Sequence, residues 1–245
     1  MQRRQQRAQT DRLKFNGNDL SALVSCKVNR PIMPPVNAKF ESVSGRDGEL
    51  IKSAYFDGYD LPVDIWLRSD DRRDAATVRH ALAQMLYTTE PAPLYLPDDP
   101  TRYLLAIVTG DTDLGEITDS SPSTTIKFHV GDPFYYGQKR RADASAGTFT
   151  INAGGDIPTH LRITAKPASS AAWYIQNVDT GEQVKLSSSV TSSSTVRVDM
   201  AQEHATVNNS LAAVTLDSDF FTVEGRTKLR LSSGTAVLEW WERWL

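Results

Sequence analysis

The chain has 245 residues, 40% of them hydrophobic, a net charge of −3 and a single cysteine. That suffices for one large or two ordinary domains, and the near-neutral balance supplies no global field for nucleic acid or an anionic membrane. Cys26 alone excludes an intramolecular disulfide framework and a cysteine-based zinc site, and no apolar run reaches the roughly 18 residues of a membrane span.

Residues 1–14 carry Arg3, Arg4 and Arg7 but no apolar stretch, so they read as a flexible tail and not as a secretory signal. Asn16-Gly17 is a hairpin signal. Residues 20–28 alternate Leu20, Ala22, Val24, Cys26 and Val28, which predicts one strand with Cys26 as a small core residue. Pro31, Pro34 and Pro35 break that strand into an extended loop. Residues 38–44 and 49–56 read as the arms of a long hairpin, with Gly45, Arg46, Asp47 and Gly48 as its turn. Asp57-Gly58 turns again, and 61–67 alternates Val63, Ile65 and Leu67 against Asp64, Trp66 and Arg68.

A helix is predicted over 70–87. Ser69 or Asp70 can cap free N–H groups, and Asp71 and Asp74 suit the positive end of the dipole. Ala75, Val78, Leu82, Met85 and Leu86 form one apolar stripe, opposite Arg72, Arg73, Arg79 and Gln84. Pro91 and Pro93 end it, and residues 94–96, 103–109 and 124–130 supply further strands.

At Gly131, Asp132 and Pro133 the last of these strands is expected to stop, because proline fixes φ and lacks a ladder N–H. Phe134, Tyr135, Tyr136 and Gly137 follow, so residues 132–137 read as the hinge between two domains, 15–137 and 138–245. Beyond it, strands are predicted every 8 to 12 residues: 149–151, 160–165, 173–178, 183–186, 196–200, 220–223, 228–231 and 235–245. Turns fall at 152–155, 179–181, 208–209 and 232–234, and Ser187 to Ser194 reads as a mobile loop. This spacing without a helix is that of an all-β sandwich. Its last strand carries Trp240 and Trp244 on one side and Trp241 and Leu245 on the other, as expected of a strand covered on both faces.

No catalytic set stands out, and the chain reads as a non-enzyme that needs no cofactor. His80, His129, His160 and His204 have no metal spacing, and neither a nucleophile elbow nor a phosphate-cradling glycine loop occurs. Asp111-Thr112-Asp113 opens like a calcium loop but lacks the later oxygen ligands and closing glutamate. The acids are scattered over turns instead of paired in a cleft, against glycoside hydrolysis.

The order of motifs resembles a family, the distal tail proteins of long, flexible-tailed phages. In the first half the matching pieces are Arg30-Pro31, the hairpin tip Val43 to Gly48, the Trp66-Leu67 strand, the amphipathic helix, Pro93 to Leu96, Tyr103 to Ala106, and Phe128 with Asp132 to Gly137. In the second they are Ile151 to Gly154 with Pro158, Asn177 with Thr180-Gly181, Asp219 to Gly225, and Glu242 to Leu245. The resemblance implies a mainly β chain with one helix: an N-terminal β-sandwich-like domain carrying a belt hairpin, then a galectin-like all-β sandwich.

It further implies a homo-hexameric ring at the virion tail tip, assembled in the host bacterial cytoplasm, with DNA passing in transit through its channel and no membrane insertion. The ring would dock to the major tail tube protein above and a tail-associated hub protein below. In several members receptor-binding proteins attach to the outer domains. The belt, tipped by Gly45, Arg46, Asp47 and Gly48, would contact the next subunit. Sugar-binding galectins carry a His-x-Asn-Pro-Arg strand that this chain lacks. That lack goes against sugar binding by the second domain despite its fold; the competing reading is a carbohydrate-binding module of a host-adhesion device, with Trp173, Tyr174, Trp240, Trp241 or Trp244 as a stacking platform.

Overall fold

Strand alternation governs the first half of the chain. In a computed structural model, residues 12–68, 72–113, 122–168 and 172–245 are described, and the chain falls into two compact units. Unit 1 runs to Tyr136 and includes Leu245, and unit 2 is Gly137–Trp244.

Unit 1 contains β1 (Lys14–Phe15), β2 (Asn18–Asp19), β3 (Val24–Val28), β4 (Val36–Ser42), β5 (Glu49–Phe56), β6 (Tyr59–Leu67), helix α1 (Arg72–Leu86), β7 (Ala92–Leu96), β8 (Asp99–Thr109) and the first part of β9 (Ser123–Asn152). β6 pairs antiparallel with β3 and β9; β8 joins β9 to β7, and β7 pairs with β1. Leu61, Val63, Ile65, Ile126, Phe128 and Leu104 point inward and are buried, because successive strand residues face opposite sides. Phe15 meets Phe128 edge-on at 5.2 Å. Helix α1 buries Ala75, Val78, Leu82 and Leu86 and touches β6, while Arg79 and Gln84 face water. The proposed caps Ser69, Asp70 and Asp71 and most of the calcium-like loop lie outside the described residues.

Residues 20–28 are not one strand. Leu20–Ala22 form a 3-10 turn, because the Asp19 carboxylate accepts from the Ser21 N–H at 3.0 Å and Leu20 turns inward. Only β3 remains extended, and Cys26 is half-buried, not a core residue.

The expected stop at Gly131-Asp132-Pro133 does not occur either: β9 continues from Ser123 to Asn152. Its β6 partner has already ended, since Tyr59 pairs with Val130. On the β8 side the register shifts around Leu105, which faces Asp132, before Tyr103 meets Tyr136. Pro133 therefore occupies an irregular stretch where no ladder N–H is demanded of it. The polar run from Gln138 to Asp143 continues the same strand.

Unit 2 adds β10 (Thr159–His160), β11 (Arg162–Lys166), β12 (Ala172–Asn177), β13 (Gln183–Ser189), β14 (Val196–Asp199), β15 (His204–Val207), β16 (Ser210–Ala212), β17 (Thr222–Val223) and β18 (Arg226–Trp244). The predicted turn at Ser232 to Gly234 is instead a bend within β18. Gly234 takes a φ of +76° there, and a Cβ would lie 1.9 Å from the Lys166 carbonyl. Before the bend Leu229–Leu231 pairs with β12; after it Thr235–Glu239 pairs with β11. One strand thus serves two pairings, and the inward side chains of β11, β12, β13, β14 and β18 form a single core around Trp173. Ser187 to Ser194 is only partly a loop: Ser187–Ser189 extend β13, Val190 and Ser194 are buried, and the Thr191 N–H donates to Ser194 Oγ at 3.1 Å.

Candidate functional site

The feature that stands apart in unit 1 is the β4–β5 ribbon. It forms its own two-stranded sheet, and the arms meet at a tip where Gly45 and Gly48 have φ of +80° and +83°. Arg46 and Asp47 are exposed between them. A two-stranded ribbon buries too little surface to be stable by itself in water. Its side chains show the same deficit: Phe40 is 56% and Ile51 68% exposed, with Val36, Leu50 and Tyr55 also open to solvent.

The register explains how these side chains are distributed. Val36 opposes Phe56, Ala38 opposes Ala54, Lys39 opposes Ser53 and Phe40 opposes Ile51. Lys52 is the extra residue of a bulge. Without it Phe40 would face Lys52, and Ile51 would turn to the opposite side. With it, Val36, Phe56, Ala38, Ala54, Phe40 and Ile51 make an uninterrupted apolar strip on one face. The other face mixes Asn37, Lys39, Ser53, Glu41, Tyr55 and Leu50, and Lys52 reaches Glu41 at 3.0 Å.

Both legs of the ribbon are rooted on β9. On the incoming leg, the Arg30 guanidinium donates to the Tyr135 hydroxyl at 3.2 Å, pairs with Asp98 at 2.8 Å and lies 5.6 Å from the centre of the Tyr135 ring. On the outgoing leg, Phe56 packs edge-on against Phe134 at 5.6 Å. The Asp57 N–H donates to the Pro35 carbonyl at 2.9 Å and closes the base. Burial pushes the Tyr59 and Tyr135 phenols above their ordinary range; for Tyr135 the Arg30 charge partly offsets this. Burial opposes the Arg30 charge, but Tyr135, Asp98 and Asp99 outweigh it and raise its pKa.

Arg30, Asp98, Asp99, Arg102, Tyr59 and Tyr135 also line an open cleft of about 530 Å³. Its two arginines are balanced by its two aspartates, and it holds neither histidine nor cysteine. Among the described residues, no cluster of three or more histidine, cysteine, aspartate or glutamate side chains is placed to hold a metal. His129 pairs with Asp60 at 2.8 Å on the surface of β9.

In unit 2 the tryptophans are distributed by face. Trp173 and Trp240 are buried, and Trp240 Nε1–H donates to the Ala153 carbonyl at 2.7 Å. Trp241 points outward between two cations, with Lys139 Nζ at 5.3 Å and the Arg162 guanidinium at 5.2 Å from its ring. Lys139 and Arg162 are themselves held by Glu239 and Asp199. A second open cleft, of about 430 Å³, includes Arg140, Arg141, Asn152 and Glu242; Arg140 pairs with Glu242 at 2.9 Å and Arg141 with Asp143 at 3.0 Å.

Thus the tip residues Gly45, Arg46, Asp47 and Gly48 come together in one turn, and Asp132, Pro133, Phe134, Tyr135, Tyr136 and Gly137 lie along one strand. Sequence reading missed the anchoring of Arg30 and Phe56 on Tyr135 and Phe134. The only sequence signal was the aromatic run itself.

The described architecture is two β units, the first carrying an exposed two-stranded arm. Two family profiles match it: the phage tail protein RIFT-related domain over residues 15–130, and the siphovirus-type tail component, C-terminal domain, over residues 154–244. The chain belongs to the siphophage distal tail protein family. Among solved structures, the Dit protein of phage SPP1, described as a paradigm of the hub adsorption apparatus of phages infecting Gram-positive hosts, superposes with a TM-score of 0.81 at 18% identity, covering 96% of this chain and 99% of that one. The phage P2 baseplate in its activated conformation with calcium gives 0.54 at 8% identity, covering 95% and 98%. Its strontium form gives 0.56 at 8% identity, covering 94% and 97%. No curated protein matches the chain. The protein is a structural component of the phage tail.

Proposed function

We propose that the protein forms a homo-hexameric ring at the tail tip, each subunit laying its β4–β5 ribbon on the next. The observation that carries this reading is the ribbon itself: a two-stranded sheet whose apolar face, beyond its root at Phe56, lies open at Phe40 and Ile51 among the described residues. A contact between two different patches of one chain is heterologous, and it ends in a ring when the rotation closes. Gly45, Arg46, Asp47 and Gly48 form the end of the belt that reaches the neighbour. Residues 15–137 build the ring, 138–245 a galectin-like outer domain, and 132–137 the link between them; Leu13 is buried and Lys14 pairs with Tyr95, so both belong to the folded unit and not to the expected tail. The ring joins the tube protein above to the tail-associated hub below, with DNA in transit through its centre and receptor-binding proteins outside. It assembles in the host bacterial cytoplasm before the virion is complete.

Native mass spectrometry and negative-stain imaging test this. A hexamer, or hexamers stacked back to back, with a central hole is expected. A strict monomer at high concentration in the presence of tube and hub partners would overturn it. The carbohydrate alternative has less support, because Trp173 and Trp240 are buried and Trp241 is flanked by Lys139 and Arg162.

A further inference from the structure

We infer that the subunit contact is carried by the apolar strip along the shank of the ribbon, centred on Phe40 and Ile51, and not by its charged tip, and that the strip's occupant is a second copy of this chain. The inference rests on the ring reading above and adds where its affinity resides.

The strip starts inside unit 1. At the root, Phe56 is already packed on Phe134, and the same face then continues outward through Ala54 and Ala38 to Phe40 and Ile51. The bulge at Lys52 keeps Ile51 on this face, which a regular register would not. Lys52 is turned to Glu41 on the other face, so no charge interrupts the strip. The Arg46-Asp47 tip is small and exposed, and contacts between exposed opposite charges contribute little.

The choice of occupant follows from charge, area and position. The arms carry Lys39 and Lys52 against Glu41 and Glu49, so the ribbon has no net sign to select a nucleic acid or an acidic peptide. The strip is too small to hold a lone pair of proteins: an aromatic side chain buries on the order of 200 Å², against about 800 Å² per partner in a stable pairwise interface. In a closed ring every subunit gives one arm and receives one, so each is held by two such strips beside the other contacts of the ring. Such a head-to-tail contact needs an apolar acceptor away from the root of the arm. Unit 1 exposes Trp66, 39% accessible, near the far end of β6. At about 3.3 Å per residue that is roughly 23 Å along the strand from Tyr59.

The test compares the concentration at which the full-length ring dissociates, measured by light scattering, for two double variants. Phe40→Asp with Ile51→Asp is expected to raise that midpoint by about tenfold or more, and Arg46→Ala with Asp47→Ala by much less. Circular dichroism checks that both variants keep the parent's strand content. A photo-crosslinking benzoylphenylalanine in place of Phe40, which preserves the aromatic body, is expected to join two copies through unit 1. A ring that survives the strip variant unchanged, or a crosslink that forms only within one chain, overturns this inference and leaves the ring standing. A parent protein that stays monomeric with its tail partners overturns the ring reading itself.

Discussion

Two antiparallel hairpins make opposite use of their inward faces. In unit 2, β14 and β15 pair from Val196 opposite Val207 to Asp199 opposite His204, and Val196, Val198 and Ala205 vanish into the core. In unit 1, β4 and β5 pair over a longer register, yet Phe40 and Ile51 remain open. The apolar pattern is comparable; only the cover differs. A hydrophobic strip on a soluble chain either contributes to folding stability or is reserved for a partner. The contrast therefore separates residues that hold a unit together from residues that hold subunits together, and substitutions can place each residue on one side of that division.

The largest expected effect lies on the folding side. Trp173 is fully buried at the centre of the unit 2 core. Trp173→Ala removes more apolar volume than the surrounding strands can collapse into, and should cost about 3–5 kcal/mol. Thermal unfolding followed by circular dichroism should show a large drop in the unit 2 transition. A transition unchanged from the parent's would break the division at its clearest point.

Next comes the bend of β18. Gly234→Ala meets both a left-handed backbone and the Lys166 carbonyl. The backbone conformation alone costs about 1–3 kcal/mol, and the clash with main chain adds to it. The same denaturation measurement should place this variant clearly below the parent. Equal stability would mean that β18 does not bend at this residue.

How much of this could be read in the sequence differs between the same regions. Helix α1 was legible because Ala75, Val78, Leu82 and Leu86 recur at a single period, and β6 because its alternation is unbroken. The errors fall where a local breaker was outvoted by tertiary pairing. Pro133 sits beyond the end of β6, and Gly234 bends β18 without ending it. At Asp19 the reverse holds: a side chain bonded to the next turn stopped a strand that alternation predicted. Strands β15 and β16 went unread although the Asn208-Asn209 turn between them, at φ of 52° and 68°, was marked. Four residues and three residues are too short for a periodic signal. The ribbon's hairpin was legible from its glycines. Its one apolar face was not, because that depends on a bulge no motif announces.

Unit 1 should also show a distinctive alkaline response. Burial raises the phenol pKa of Tyr59, Tyr103 and Tyr135. A folded pKa above the unfolded one means stability that is complete below about pH 10 and declines as pH rises through the folded values. Absorbance titration of tyrosinate should therefore lag that of free tyrosine. Tyr59→Phe, which keeps the ring and removes one titrating group, should reduce the loss of stability between about pH 10 and 12. Normal titration of all tyrosines in the folded protein would contradict the burial of this cluster beside the root of the arm.

The smallest effect on folding is expected in the ribbon, and it is the most discriminating. Phe40→Ala removes as many carbon atoms as a core phenylalanine truncation, which costs about 3–5 kcal/mol when the ring is buried. Here the ring is more than half exposed and is not one of the buried core residues. Its loss should change the stability of the dilute, dissociated subunit by no more than about 0.5 kcal/mol. Ile51→Ala should behave alike, since the two residues face each other across the register. The measurement is a urea titration at a concentration below ring dissociation, with the midpoint compared to the parent at equal slope. A loss of several kcal/mol in the isolated subunit would show that the strip folds back onto its own chain, and the contrast with β14 and β15 would disappear. An unchanged midpoint leaves the apolar face with no role in folding and keeps it free for a neighbouring subunit.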